Sequence, residues 1–451
     1  MKSIRRCQHI VTLFLLIFII GIVALVVKIN TQASYFMTFS DNYKLGKVYD
    51  RSGDVLFDGS GGKDYPDNYF IDVGNLIGDD KGQMENTLVA QNIDKLNNYS
   101  FSAGLVKEGG KAAIYTTLDH EANRAVYNAY GSARGCAVAY NYKTGEILVC
   151  TSLPSLDPTK GYANLENMES GTLLSKALCG TVPGSTQKVS TVISALEIMG
   201  HDKLFSKSFS CSGYFMNSSG GKIDCHNSSG HGTQNIQQAV ENSCNPFFAQ
   251  LIEDSDMPLD KIISKYRKLG YAVNDDKPEY FDIDGIQCEK ASTKLTDSTE
   301  FNTQWGCIGQ GATLASPIQL MMWQSAVASG SGKMTMPHLI DRVTDVYGEN
   351  TEVMGTKYSE KIFSEDTAST MKQILVTNGA NHYAGSIPNH SVGIKSGTAQ
   401  VKNGDEENAL LVGFVDEPSN PIAFCVLLEN KWNTPVTAEG ILNTMLDHIC
   451  D

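Results

Sequence analysis

The sequence predicts an α+β fold: a five-stranded, mostly antiparallel sheet flanked by helices, with an all-helical subdomain inserted between its second and third strands. The first observation behind this prediction is a pair of apolar segments joined by Lys143-Thr144-Gly145, which is typical of a hairpin turn. The second is a group of three apolar segments near the C-terminus. The third is the long, mostly helical stretch between the hairpin and these three segments. The five predicted strands are residues 135–140, 146–151, 391–400, 409–415 and 422–428.

Two predicted helices border these strands in the sequence. Residues 117–130 and 435–448 both carry apolar side chains at helical spacing. Residues 180–200 are predicted to form another helix, and residues 202–300 to be mostly helical around a polar insert at 207–233. A sheet assembled from both ends of a region, with a helical middle, is an α+β layout rather than a βαβ series.

An apolar segment at residues 10–27, eighteen residues without a charge, predicts a transmembrane helix. At 1.5 Å rise per residue such a helix is about 27 Å long, close to the hydrocarbon thickness of a bilayer. Because Lys2, Arg5 and Arg6 precede it, the positive-inside rule predicts a single-pass anchor with a cytoplasmic tail at residues 1–9 and an extracellular remainder. A cleaved signal peptide is the alternative, but its apolar region would be shorter. The segment therefore argues against a soluble cytosolic enzyme.

Residues 28–110 are polar and rich in Gly, Asp and Asn, and we expect them to form a small β-containing stalk module next to the membrane. Within them, residues 46–56 indicate a β-hairpin and residues 80–96 indicate a helix. The module is too small and polar for a catalytic domain. Residues 111–451 are therefore assigned to the catalytic domain.

The charge balance excludes one broad class of function. The chain has 36 Lys and Arg residues against 50 Asp and Glu residues, a formal net charge of −14. A nucleic-acid binder needs a positive field to meet phosphates, so we expect no nucleic-acid partner.

The strongest chemical signal is Pro183-Gly184-Ser185-Thr186-Gln187-Lys188, at the start of an apolar helix. Positions three apart share a helix face, so Lys188 can reach Ser185. A serine hydroxyl is a weak nucleophile until a base takes its proton, and a desolvated lysine has a lowered pKa that suits it for this role. Free N–H groups at the helix N-terminus can stabilise an oxyanion. Taken alone the pattern is common, and an N-cap serine with an exposed lysine is the ordinary alternative.

Two further motifs follow in the sequence. Ser243-Cys244-Asn245 precedes a helix and offers a hydroxyl and a carboxamide, which suit proton relay and amide binding. Lys395-Ser396-Gly397-Thr398 lies on a predicted strand, where the lysine can pair with a carboxylate, Thr398 can donate to it, and the glycine allows close approach by another backbone. Each motif alone is common.

The three motifs together resemble the ordered Ser-x-x-Lys, Ser-x-Asn and Lys-Thr/Ser-Gly set of the penicillin-interacting serine enzymes. The chain is similar in particular to class B monofunctional penicillin-binding proteins. The segment 48–53 resembles their membrane-proximal signature, and residues 145–158 resemble the start of their penicillin-binding domain. Ile308-Gly309-Gln310-Gly311 resembles their Gly-Gln-Gly segment. The resemblance spans most of the chain and is weakest at residues 60–110.

The resemblance implies a peptidoglycan D,D-transpeptidase that cross-links stem peptides through an acyl-serine intermediate, needs no cofactor and is covalently inhibited by β-lactams. Ser185 is the implied nucleophile, Lys188 the general base and Ser243 the proton relay. The implied substrate-binding residues, which hold the amide and the terminal carboxylate, are Asn245, Lys395, Ser396, Gly397, Thr398 and Ala399. The backbone N–H groups of Ser185 and Thr398 are the implied oxyanion hole.

The resemblance also implies partners and leaves alternatives open. Peptidoglycan stem peptides, β-lactams, the cell membrane and a separate glycosyltransferase of an elongation or division complex are the implied partners. A non-catalytic wall-synthesis scaffold or β-lactam receptor is one alternative, and a D,D-carboxypeptidase is another. No acidic residue can be assigned the deacylating role of a class A β-lactamase glutamate, which favours a transferase over a hydrolase.

The sequence departs from the family at Gln187, where the family usually has Phe, which puts the rate of acylation in doubt rather than activity itself. The polar insert contains Cys211, Cys225, His226 and His231. Because the family often carries a Cys pair here, a Cys211–Cys225 disulfide is the first interpretation. Free thiols and a zinc site are the alternatives, and we assign no metal ligand because the spacing is loose and lacks a C-x-x-C.

Overall fold

The main sheet has five strands in the order Val392–Val401, Glu406–Val415, Ile422–Glu429, Arg134–Asn141 and Ile147–Leu153, and every neighbouring pair is antiparallel. The computed structural model describes residues 2–37, 44–59, 69–79, 81–100, 104–106, 109–162, 165–275 and 277–450. The predicted two-plus-three arrangement is confirmed, with strand ends within a few residues of the expected ones.

Helices cover both faces of this sheet. The helices His120–Tyr130 and Ala438–Ile449 pack together on one face, and Pro317–Ala328 and Glu365–His382 lie on the other. Since both faces are buried, the central strands are continuously apolar rather than alternating. The remaining helices are Lys2–Met37, Gly74–Ile77, Leu88–Gln91, Lys188–Met199, His201–Ser206, Ile236–Glu241, Asn245–Glu253, Leu259–Lys268 and Phe301–Ile308.

The inserted region lies between the second and third strands, as expected, but the expectation that it is all-helical is wrong. Its helices are accompanied by short strand pairs, which form because turn residues such as Gly213, Gly220 and Gly285 adopt positive φ between short β segments. These pairs are Phe209–Cys211 with Gly232–Gln234, Tyr214–Met216 with Lys222–Asp224, Ala272–Val273 with Ser292–Thr293, Tyr280–Ile283 with Ile286–Glu289, and Lys333–Thr335 with Tyr358–Lys361.

A second five-stranded sheet joins distant parts of the chain. Its order is Asn350–Val353, Ile340–Thr344, Ala113–Thr116, Lys47–Tyr49 and Val55–Asp58. The hairpin predicted at 46–56 is present as its last two strands. The division of the chain at residue 110 stays a prediction, but this sheet takes strands from both sides of it and from the far end of the insert.

Two expectations for the N-terminal part fare differently. The helix expected at 80–96 is wrong in extent: among the described residues of that stretch only Leu88–Gln91 is helical, and Asp80 lies outside them. The helix Lys2–Met37 contains the predicted apolar segment, and its part from Ile4 to Ile29 is long and apolar enough to cross a membrane, with a mean hydropathy of 3.4 over its most apolar 18 residues. None of that apolar stretch is buried against the rest of the protein.

Candidate active site

The Ser-x-x-Lys motif forms a tight turn that leads into a buried helix. Residues Gly184–Gln187 form one turn of 3-10 helix, and Lys188–Met199 continues as an α-helix. Gly184 has φ of +54°, and a Cβ there would lie 2.6 Å from the carbonyl oxygen of Thr398. Only glycine accommodates both the left-handed backbone and this approach. The turn therefore presents Ser185 directly beside the edge strand Val392–Val401.

The ammonium nitrogen of Lys188 lies at the centre of the site. Its Nζ is 2.8 Å from Ser185 Oγ, 2.7 Å from the carbonyl oxygen of Ser243 and 2.7 Å from Asn245 Oδ1. The hydroxyl of Ser243 is 3.3 Å away. The side chain is fully buried, so the alternative of an exposed lysine next to an N-cap serine is wrong.

The Ser-x-Asn motif lies in a strained connection between two helices. Ser243 has φ of +49°, an uncommon value for a residue with a side chain. Its N–H donates to the carbonyl of Val240 at 3.2 Å, and the next helix, Asn245–Glu253, begins at once with Pro246 in its first turn. The amide of Asn245 donates to the carbonyl of Asp224 at 3.0 Å. These contacts aim the Ser243 hydroxyl and the Asn245 carbonyl at Lys188.

The third motif lies on the edge strand Val392–Val401, as predicted. Lys395 Nζ is 3.1 Å from Ser243 Oγ and 2.8 Å from the carbonyl of Ser396. A Cβ on Gly397 would lie 2.7 Å from the carbonyl oxygen of Pro183, so the glycine lets the strand pack against the turn Gly184–Gln187. The three motifs thus meet at one place.

Burial controls the charge state of both lysines. Desolvation of Lys188, together with the nearby charge of Lys395, holds the pKa of Lys188 well below its usual range. Desolvation alone lowers the pKa of Lys395 to about 7. A neutral Lys188 beside Ser185 has the free lone pair that a general base needs.

A cleft of about 670 Å³ opens over these groups. Ser185, Ser243, Asn245, Ser396 and Thr398 line it. Below its floor lie Lys188 and Lys395, which are buried. The remaining predicted site residues have other positions: Gly397 packs on the turn Gly184–Gln187, and Ala399 is buried in the core.

Sequence reasoning did not assign several residues of this cleft. Gln310, in the Gly-Gln-Gly segment, donates from Nε2 to the carbonyl of Thr398 at 3.2 Å and lines the cleft. Phe301 and Trp305 stack with ring centroids 5.4 Å apart and form another wall. The resemblance to the Gly-Gln-Gly segment could have indicated Gln310 as a site residue. Nothing in the sequence indicated that the aromatic pair Phe301 and Trp305 lines the cleft.

The departure at Gln187 has a structural counterpart. Gln187 is fully buried, and the hydroxyl of Tyr271 donates to its Oε1 at 2.7 Å. The same hydroxyl lies 3.0 Å from Ser190 Oγ, and the Tyr271 ring stacks on Trp323 with centroids 4.8 Å apart. A polar contact therefore forms at the position where the family usually has Phe.

The expected Cys211–Cys225 disulfide is wrong, because both residues are free thiols. Instead, donor atoms of Cys211, Cys225, His231 and Cys244 all lie within 4.8 Å of one another. The fourth member, Cys244, is the middle residue of the Ser-x-Asn motif. It lies outside the insert in the sequence, so the sequence did not indicate that it belongs to the cluster. The zinc alternative therefore has a complete set of four donors.

Comparison with known proteins identifies the family. Residues 135–446, more than half of the chain, match the penicillin binding protein transpeptidase domain. The chain belongs to this family. The resemblance drawn from the three motifs is thereby confirmed.

Individual relatives of this penicillin-binding protein are distant. The chain is 26% identical over 349 residues to the peptidoglycan D,D-transpeptidase MrdA of Acinetobacter baumannii, which covers 70% of this chain and 51% of that protein. It is 28% identical over 339 residues to the stage V sporulation protein D of Bacillus subtilis, which covers 69% and 48% of the two chains. The chain thus spans about half the length of these relatives.

Solved structures of this family share the fold. The ceftriaxone acyl-enzyme complex of penicillin-binding protein A from M. tuberculosis superposes with a TM-score of 0.77 at 18% identity, over 91% of this chain and 99% of that one. Pseudomonas aeruginosa PBP2 in complex with WCK 5153 gives a TM-score of 0.65 at 20% identity, over 90% and 95%. The predicted α+β class, with a five-stranded sheet flanked by helices, is confirmed.

Proposed function

We propose that this penicillin-binding protein is a peptidoglycan D,D-transpeptidase that works through an acyl-serine intermediate. The observation that carries the proposal is the 2.8 Å contact between Ser185 Oγ and the buried Nζ of Lys188. Burial and the neighbouring Lys395 lower the pKa of Lys188, so its amine is available to accept the serine proton. The D,D-transpeptidase names of the MrdA relatives agree with this chemistry.

In the first step, Ser185 Oγ attacks the carbonyl between the two terminal D-alanines of a stem peptide, and Lys188 takes the hydroxyl proton. Ser243, within 3.3 Å of Lys188, passes a proton to the amine of the departing D-alanine. The C–N bond breaks and an ester to Ser185 remains. The backbone N–H groups of Ser185 and Thr398 would stabilise the oxyanion on the way.

Substrate binding would use the walls of the cleft. Asn245 would form a hydrogen bond with the stem-peptide amide. Lys395 and Thr398 would bind the terminal carboxylate, and Lys395 must be protonated for this contact. In the second step, an amine from another stem peptide attacks the ester and gives its proton to Lys188. The new amide bond forms, the C–O bond to Ser185 breaks, and Lys188 returns the proton to Ser185 Oγ, 2.8 Å away. A β-lactam would acylate Ser185 in the same way, but its leaving amine stays tethered, so the adduct persists.

The proposed setting is the outer face of the cell membrane. The apolar helix would anchor the chain once, with Lys2, Arg5 and Arg6 in the cytoplasm and the cleft outside. A separate glycosyltransferase of an elongation or division complex would supply the glycan strands. Protease added to intact spheroplasts should degrade the domain that holds the cleft, and survival of that domain until the cells are lysed would contradict this orientation.

The test of function uses the full chain purified in detergent. With a donor peptide ending in D-alanyl-D-alanine and a peptide amine acceptor, mass spectrometry should show a cross-linked product. Ser185→Ala should abolish both this product and acylation by labelled penicillin, whereas the exposed Ser229→Ala should retain both. Release of D-alanine with a hydrolysed donor peptide, and without the cross-linked product, would identify a carboxypeptidase. Acylation of Ser185 with neither product would identify a β-lactam receptor.

A further inference from the structure

An ion pair lines the wall of the cleft that the edge strand forms. Lys431 Nζ lies 2.8 Å from Glu407 Oε2, and both residues line the cleft together with Ser185. We propose that Glu407 and Lys431 bind the amine-bearing residue of the donor stem peptide, and that they select a residue whose amine and a carboxylate share one carbon atom. This assignment rests on the proposed function, because it concerns the substrate of that reaction.

The register of the sheet locates the ion pair relative to the nucleophile. The turn that holds Ser185 packs against Thr398, whose carbonyl oxygen would lie 2.6 Å from a Cβ on Gly184. Gln400 lies two residues further along the edge strand, a distance of about 7 Å. It pairs directly with Glu407 of the neighbouring strand, and such partners share one face of the sheet. Glu407 therefore lies one step beyond the nucleophile along the cleft wall.

The proposed chemistry sets the direction of the donor peptide along this wall. Its terminal carboxylate would bind Lys395, and its scissile carbonyl would face the N–H of Thr398, three residues further along the strand. The part of the peptide that stays on Ser185 therefore continues toward Gln400. In a stem peptide the amine-bearing residue directly precedes the two terminal D-alanines. Its long side chain would thus extend from the acylated D-alanine toward Glu407.

The ion pair offers one charge of each sign to this side chain. A carboxylate binds an ammonium group by charge-assisted hydrogen bonds, and an ammonium group binds a carboxylate in the same way. A side chain that ends in an amine alone would be attracted by Glu407 and repelled by Lys431. A zwitterionic end group can place its ammonium at Glu407 and its carboxylate at Lys431. The site is therefore complementary to a diamino-dicarboxylic residue.

The fold holds both charged side chains in position. Lys431 begins a turn of 3-10 helix after Asn430, which has the left-handed φ of +46°. The N–H of Asn430 donates to Oδ1 of Asn408 at 3.1 Å, which joins this turn to the strand that carries Glu407. The side chains of Lys431 and Glu407 are 32% and 17% exposed. A partly exposed ion pair contributes little to stability, so a ligand can exchange for either partner at low cost.

A neighbouring ion pair supplies a matched control. Lys402 Nζ lies 2.6 Å from Glu406 Oε1, and Glu406 directly precedes Glu407 on the same strand. Successive side chains of a strand point to opposite faces, and Glu406 accordingly lies 3.8 Å from Arg134. Among the described residues that line the cleft, neither Lys402 nor Glu406 appears. Removing the charge of Glu406 therefore changes an adjacent ion pair without changing the proposed subsite.

The experiment compares three donor peptides that end in D-alanyl-D-alanine and differ in the preceding residue. This residue is meso-diaminopimelate, which is zwitterionic, lysine, which has the amine alone, or 2-aminopimelate, which has the carboxylate alone. Each peptide competes with labelled penicillin for Ser185 of the full chain in detergent, so the slowing of acylation measures peptide binding even without turnover. Wild type should bind the diaminopimelate peptide about fivefold more tightly than either analogue.

The two variants should lose different parts of this preference. Lys431→Met should lose the preference over the lysine peptide, and Glu407→Gln should lose the preference over the aminopimelate peptide. Glu406→Gln should keep both preferences. Each preference is a ratio measured within one variant, so a partly unfolded sample lowers the amount of active protein without changing the ratio.

Equal binding of the three peptides by wild type would overturn the subsite. Retention of both preferences in Lys431→Met and Glu407→Gln would also overturn it. Loss of the preference over lysine in Lys222→Met, with retention in Lys431→Met, would place the recognition at the pair Lys222–Asp224 on the cleft wall and contradict the assignment. The expected competition without an ester between Ser185 and any of the three peptides in mass spectrometry would instead contradict the proposed function while supporting the subsite.

Discussion

Lys188 and Lys395 both place their ammonium nitrogens within hydrogen-bond distance of a single atom, the hydroxyl oxygen of Ser243, at 3.3 and 3.1 Å. Two cations buried this close together repel each other in a medium that solvates neither well. Desolvation, together with the smaller effect of the charge on Lys395, holds the pKa of Lys188 well below its usual range, and desolvation alone lowers the pKa of Lys395 to about 7. The pair can thus hold one neutral amine and one ammonium near neutral pH.

This pair predicts the pH dependence of acylation. Lys188 must be neutral to take the Ser185 proton, so the rate falls at pH values below its lowered pKa. Lys395 must be protonated to hold the carboxylate of penicillin, so the second-order rate constant should also fall as pH rises through about 7. Labelled penicillin, followed from about pH 5 to about pH 10, should give a bell-shaped profile.

The matched variant is Lys395→Arg, because a guanidinium stays protonated throughout this range. It should lose the alkaline limb of the profile while keeping the acid limb. A wild-type rate constant that stays level up to about pH 10 would show that Lys395 is not the group that binds the carboxylate.

The contact of Gly397 with the turn Gly184–Gln187 and the preceding Pro183 predicts a steric effect. In Gly397→Ala the new Cβ would lie 2.7 Å from the carbonyl oxygen of Pro183, so the strand must move away from Ser185. A shift of this kind in a reacting pair can cost about 10²-fold in rate, and we expect acylation to slow by at least about tenfold. Gly385→Ala is the control, because a Cβ there meets no atom within 4 Å. Equal rates in the two variants would show that the close packing at Gly397 is not needed.

The hydrogen bond from Tyr271 to Gln187 predicts a stability effect. In Tyr271→Phe, the buried Oε1 of Gln187 loses its donor, which costs about 1–3 kcal/mol for an unsatisfied buried group. The Tm should fall, and acylation should slow, because Gln187 lies between Ser185 and Lys188. Tyr280→Phe, at an exposed tyrosine, should leave the Tm unchanged. Restoration of the Tm in the double variant Gln187→Leu/Tyr271→Phe would confirm that the unpaired amide causes the loss, whereas a wild-type Tm in Tyr271→Phe would contradict it.

A buried ion pair next to the second sheet predicts a pH-dependent stability. His120 Nε2 lies 3.3 Å from the fully buried Asp72, which also binds Arg124 at 2.8 Å. The backbone N–H of His120 donates to the carboxylate of Asp50. Desolvation lowers the pKa of His120, but the hydrogen bond and charge of Asp72 outweigh it and raise the pKa overall. The resulting stabilisation is present at pH values below the unfolded pKa of His120 and is lost as pH rises through the raised value.

As pH rises from about 6.5 through the raised pKa of His120, the Tm of wild type should therefore fall more steeply than that of His120→Gln, which keeps a donor but does not titrate. His201→Gln, at an exposed histidine, should follow wild type. Parallel curves for wild type and His120→Gln would contradict a role for this proton in stability.

Local patterns in the sequence were sufficient for the sheet and the three motifs. The strands at 134–153 and 392–429 are rich in apolar residues and separated by turns, so their existence follows from short-range information. Ser185 and Lys188 are three residues apart on one helix, and Ser243 and Lys395 could be added because the motif order matched a known family. The family and fold are confirmed, while the roles of these residues stay predictions.

Long-range relationships could not be predicted in the same way. The prediction of a helix at 80–96 was wrong. Its apolar residues Leu88, Val89 and Leu96 are buried in the core, but bends and turns, rather than one continuous helix, carry most of this stretch. The predicted disulfide did not anticipate a third cysteine. Cys244 lies nineteen residues beyond Cys225, and nothing in the sequence indicated that its sulfur lies beside those of Cys211 and Cys225. The replacement at Gln187 was visible, but its partner Tyr271 lies 84 residues away.

The second sheet sets a limit on how this protein can be shortened. A chain beginning at residue 111 would keep the strand Ala113–Thr116 but lose its neighbour Lys47–Tyr49, exposing a row of unpaired backbone groups that invites aggregation. A soluble form prepared for crystallisation or inhibitor screening should therefore begin after the apolar helix and before Lys47. The segment that looks like a dispensable spacer is part of the same folding unit as the cleft.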